Sequence, residues 1–142
     1  MHIIAILMTG VALISSLKIQ PWMDHKKSRA VFVLSMPLRA GDKVILNGCL
    51  GMTNDTGYNV GVGIAIKENV SGKIISPVQT RNVTPDMHHD SNSIMTVFEA
   101  PADGDYKFAL IIWAGSTAAD GSSLTIENGR FGQLIAQIIN KE

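Results

Sequence analysis

His88 and His89, flanked by Asp86 and Asp90, form the one concentration of metal-ligating side chain types in this sequence. Imidazole with carboxylate suits zinc or another divalent ion, and a loop can fold several such ligands about one centre. Neighbours on an extended segment point to opposite faces, so both rings reach one ion only where the chain turns between them. His88, His89 and Asp90 are therefore the candidate metal ligands, set against a plainer reading as a polar loop with local hydrogen bonds. Apart from a divalent metal there, the sequence calls for no cofactor. Nucleophilic catalysis finds no Gly-x-Ser-x-Gly elbow, and no glycine loop opens a helix to cradle phosphate. Glu99, Asp103 and Asp105 crowd a single turn, where solvated carboxylates are the simplest reading. The lone Cys49 excludes an internal disulfide and has the apolar neighbours Leu46 and Leu50, as a small core hydrophobe would.

Aromatic side chains offer a large contact area at low entropic cost, which makes them the usual means of binding sugars and protein partners. Trp113 and Tyr58 are the candidate ligand-binding residues on that ground, with Trp22 as a further loop aromatic. Trp113 ends a strand-like run over residues 106–114. On one face stand Tyr106, Phe108, Leu110 and Ile112, and on the other Lys107, Ala109, Ile111 and Trp113. One face must be core. The second is apolar enough to meet another sheet or another subunit, so Lys107, Ala109, Ile111 and Trp113 are the expected interface.

The elements that would carry these residues read as short strands. Residues 29–35, 43–50, 59–67, 74–80, 93–99, 106–114, 124–127 and 131–139 are rich in β-branched or aromatic residues and bounded by Gly, Pro, Asn or Asp. The sharpest period lies in residues 59–67, where Val60, Val62, Ile64 and Ile66 share one face and Gly61, Gly63 and Ala65 the other. A nearly bare face implies a close approach by some other group. The bulky face should line one core with Tyr106, Phe108, Leu110 and Ile112. Pro77 places residues 74–80 at a sheet edge, and residues 81–92 read as a long polar loop. Asn47-Gly48 suggests a bulge or turn, and Asn128-Gly129, between two strand-like runs, is the strongest hairpin signal. A C-terminal helix is the alternative for the last segment. Eight or nine strands at roughly ten-residue spacing predict an all-β, antiparallel β-sandwich of jelly-roll type.

The 142 residues suffice for one domain without staples, and 12 basic against 12 acidic residues leave no net charge. Broad electrostatic binding of nucleic acid is disfavoured. The first 27 residues form a separate unit of the sequence. Residues 3–17 are almost wholly apolar, which fits an export signal or anchor, or alternatively an ordered arm; a polar linker follows, and the sandwich is expected over residues 28–142. Three sequons at Asn54, Asn69 and Asn82 would matter only in a secreted eukaryotic chain.

Phe98, Pro101, Gly104, Tyr106 and Phe108 stand in an F-x-x-P-x-x-G-x-Y-x-F pattern. Over these eleven residues the chain resembles the complement-type globular-head jelly roll, a relative of tumour-necrosis-factor domains. That resemblance implies a trimer in a secreted recognition protein, a bacterial surface protein or a phage fibre tip. The leading expectation is thus a non-enzymatic structural or attachment module of a virion, phage fibre or cell surface, partnered by itself or by other structural proteins. A carbohydrate-binding, lectin-like module is the alternative, and a metal-dependent enzyme built on the His88-His89 loop the second.

Overall fold

The computed structural model describes residues 5–69, 71–87, 90–129 and 132–139. Among them the chain runs through β1 (Ala5–Thr9), β2 (Val11–Ala12), β3 (Ser16–Lys18), a 3-10 turn (His25–Lys27), β4 (Arg29–Leu38), β5 (Lys43–Thr53) and β6 (Val60–Glu68). It continues through β7 (Lys73–Ile74), β8 (Gln79–Val83), β9 (Asp90–Glu99), β10 (Gly104–Gly115), β11 (Ser123–Glu127) and β12 (Gln133–Ile139). No helix among the described residues is long and apolar enough to cross a membrane.

Every pairing between named strands is antiparallel, and together they make two six-stranded sheets. In the first sheet β5 lies between β9 and the end-to-end pair β12 and β11, whose outer neighbours are β1 and β3. In the second the order is β2-β4-β10-β6, with β7 and β8 on the far side of β6. The pattern is that of one long hairpin. β1 and β3 pair with β12 and β11, β4 with β10, β5 with β9, and β6 with β8, and successive pairs fall in alternate sheets. Wrapping a hairpin in this way makes the jelly-roll sandwich, which buries one face of each sheet against the other.

Strand alternation decides which residues go inside. Val60, Val62, Ile64 and Ile66 of β6 and Tyr106, Phe108, Leu110 and Ile112 of β10 belong to one buried cluster, as their period demands. From the first sheet come Val44, Leu46, Leu50, Met52, Leu124, Ile126, Leu134 and Ile138. The Phe98–Phe108 segment forms the β9–β10 turn. Phe98 packs on Tyr106 and Phe108 at ring-centroid separations of 5.5 and 5.2 Å, and the Tyr106 hydroxyl donates to the Ala102 carbonyl at 2.7 Å. Beneath it, Asp103 accepts from the Ala40 N–H at 2.8 Å and Gly41 donates to the Ala100 carbonyl at 2.8 Å. These bonds tie the β4–β5 turn, where Gly41 has φ +89°, to the β9–β10 turn.

Three local expectations give way to the topology. Asn128-Gly129 does not close a hairpin: β11 and β12 lie end to end along β5, and the Asn128 amide donates to the Ile14 carbonyl. Asn47-Gly48 lies inside a continuous β5, where a Cβ at Gly48 would meet Leu110 at 3.0 Å. Residues 79–83 and 90–92, expected in part as loop, extend β8 and β9. The last segment is strand, with Leu134, Ala136 and Ile138 buried on one face.

Residues 5–18 are built into both sheets. β1 and β3 pair with β12 and β11, while β2 crosses to pair with β4. The crossing occurs at Gly10, whose N–H bonds the Leu134 carbonyl at 2.7 Å and whose Cβ would stand 3.1 Å from that of Leu134. Ile14, Leu17 and Ile19 enter the common core.

Candidate interaction surface

The polar residues singled out from the sequence are engaged in holding loops. Asn54 is fully buried, and its amide donates to the carbonyls of Tyr58 and Val83, each at 2.9 Å. Its side-chain oxygen accepts from the Thr56 N–H at 3.0 Å and the Thr56 hydroxyl at 2.6 Å. The Asn54-Asp55-Thr56 sequon is thus an Asx-type turn that joins the β5–β6 loop to β8, with no free amide to carry a glycan. Asn69 and Asn82 are exposed. Replacing Asn54 with Ala would leave two carbonyls without donors in a buried setting, at a cost of about 2–4 kcal/mol. Urea denaturation should show a lower midpoint at unchanged slope.

Tyr58 is half-buried, and its hydroxyl donates to Asp120 at 3.2 Å. Asp120 also accepts from the hydroxyl and N–H of Ser122, and these bonds, with that from Tyr58, hold its carboxyl below the usual carboxylate range. Asp90 pairs with Arg81 and accepts from the Asn92 amide at 3.3 Å, so it braces β9 against β8. His88 and His89 lie outside the described residues. Among the described residues no three His, Cys, Asp or Glu side chains gather where they would hold an ion.

The outer face of the second sheet is covered by the chain itself. Ala65, Ala109, Ile111 and Trp113 form a second buried cluster, and Trp113 is 6% exposed. The indole lies flat on Gly63, where a Cβ would fall 2.1 Å from its Cε2. Here the bare face of β6 finds its purpose. Residues 20–27 run over this face as a strap: Gln20 bridges Gly115, Met23 Sδ stands 3.2 Å from the Cβ position of Gly61, and the His25 ring meets Trp113 edge-on at 6.3 Å. Asp24 anchors the strap by accepting from the Lys26 N–H at 3.0 Å. Of the four residues expected between subunits, Ala109, Ile111 and Trp113 are therefore buried within the single chain, and Lys107 is exposed beyond the strap. Sequence reasoning identified the apolar face, but nothing in its spacing showed that residues 20–27 would fold back over it.

The outer face of the first sheet has no such cover. Three rows cross it: Glu99, Lys43 and Ile139; then Val97, Ile45, Gln137 and Leu7; then Met95, Asn47, Ile135 and Thr9. Leu7 is 70%, Met95 59% and Val97 57% exposed, and Ile45, Ile135 and Ile139 are half-exposed beside them. The other half of the face is polar, with Ser16, Lys18, Ser91, Ser93, Ser123, Thr125 and Gln133. An apolar half-face next to a polar one is a division that a purely solvated sheet has no reason to make. The alternation that predicts it is present in residues 93–99, yet Met95 and Val97 read there only as strand formers.

No protein-family model and no curated protein matches the chain. Solved structures do share its fold. The VP2 subviral particle of infectious bursal disease virus aligns over 96% of this chain and 33% of that one, with a TM-score of 0.59 at 12% identity. A second infectious bursal disease virus particle aligns over 95% and 31%, with a TM-score of 0.61 at 16% identity. The chain spans about a third of the length of the viral chains it matches. At this identity the likeness is one of fold: a jelly-roll sandwich.

Proposed function

We propose that this chain is a non-enzymatic structural or attachment module of a virion, fibre or surface assembly, acting by packing its jelly roll against other protein. The observation that carries the reading is the contrast between the two outer faces. One is sealed by the chain's own strap, whereas the other presents Leu7, Ile45, Met95, Val97 and Ile135 to solvent. Covering such a patch removes apolar surface from water and favours association. The fold supports the reading by analogy, since the viral particles it resembles are assemblies built from a chain that contains this sandwich. The virion or the outside of a cell is the corresponding location. The internal commitments of Asn54, Asp90 and Asp120 support a scaffold role, because each is tied to a neighbouring loop or strand.

Sedimentation velocity over a rising concentration series tests this. A module of this kind associates as concentration rises, and the association strengthens with salts that favour apolar burial. A sedimentation coefficient that stays at the value of one 15.3 kDa chain throughout, together with strong selective binding on a glycan array, would replace it with the carbohydrate-binding reading.

A further inference from the structure

Resting on the proposed assembly role, the geometry points to the occupant of the open half-face: a second copy of this chain, related by a two-fold axis normal to the first sheet. Four strands at a spacing of about 4.8 Å and three rows at about 6.8 Å give a flat patch roughly 19 Å by 20 Å. Two such patches face to face reach the lower end of the area that specific pairs bury, so the contact is a weak, reversible one. Within this half-face the charged side chains are Lys43 and Glu99, cross-strand partners in one row. A two-fold operation turns that row end for end. Lys43 of one copy then comes opposite Glu99 of the other, and the apolar rows meet with no like charges set against each other. The polar half stays outside the contact.

The exposed position of Val97 makes the test direct. Val97→Lys puts a charge into the centre of the contact while leaving the core untouched, and Ser123→Lys does the same on the polar half as a control. Sedimentation velocity of the full chain should give twice the 15.3 kDa chain mass for the unaltered protein and for Ser123→Lys, and one chain mass for Val97→Lys. Circular dichroism should be alike for all three. Should Val97→Lys fail to fold, Met95→Gln serves in its place, with the dimer dissociating at least tenfold more readily. A dimer that survives both substitutions overturns this surface and leaves the assembly role standing. A closed trimer overturns the two-fold arrangement. An unaltered protein that is a monomer at every concentration overturns both readings.

Discussion

A chain that begins at Gln20 should fail to fold, although it keeps all nine strands from β4 to β12. The loss removes Ile14, Leu17 and Ile19 from the core, together with the outer neighbours of β11 and β12. Truncating one buried aliphatic side chain costs about 2–5 kcal/mol, so losing three reaches on the order of 6–15 kcal/mol. That equals the whole net stability of a typical domain, about 5–15 kcal/mol. The backbone loss adds to it: the edges of β11 and β12 become unpaired, and such edges recruit other chains. The shortened chain should be recovered in inclusion bodies, or show no cooperative transition by circular dichroism. A soluble chain from Gln20 with the full chain's melting temperature would show that residues 5–18 are dispensable to the sandwich.

Gly63→Ala should be the most damaging single substitution on the second sheet. The added carbon would stand 2.1 Å from Trp113 Cε2, far inside contact distance, and Gly63 lies directly across from Trp113 in the β6–β10 register. Either the indole leaves its seat or the two strands separate. Overpacking costs about 1–3 kcal/mol, and expelling the indole approaches the roughly 3–5 kcal/mol of a buried Trp→Ala change. A fall of about 10 °C in melting temperature is expected. In a Trp113→Ala background the same Gly63→Ala change should cost little, because its partner is gone; the double-mutant cycle isolates the contact. Equal costs in both backgrounds would show that Trp113 is not what the bare face of β6 accommodates.

The sandwich was legible in the sequence because strand period is a local property. Alternation in residues 59–67 and 106–114 identified the two inner faces, and Gly61 and Gly63 announced a close approach. What covers each outer face depends on contacts distant in sequence. The Trp113 face is closed by residues 20–27, whose Pro21, Asp24 and Lys26 read only as a polar connection. Asn128-Gly129 carries a true turn signal, but the partner of each flanking strand is β5, supplied from some eighty residues away. Asn54 likewise reads as a sequon or a loop residue, and its role depends on the Val83 carbonyl 29 residues later. The candidate interface was placed on the wrong side of no period: the face was apolar as read, and the fold had already used it.

Side-chain footprinting across a concentration series measures most directly which outer face is free to be covered. Met95 and Trp22 are both well exposed in the single chain, Met95 on the open half-face and Trp22, at 71% exposure, on the strap across the opposite sheet. Oxidative labelling of Met95 should fall as concentration rises and association sets in, while labelling of Trp22 stays constant. Labelling of Met95 that is indifferent to concentration, or protection that appears at Trp22 instead, would contradict the assignment of the first sheet's outer face as the surface of assembly.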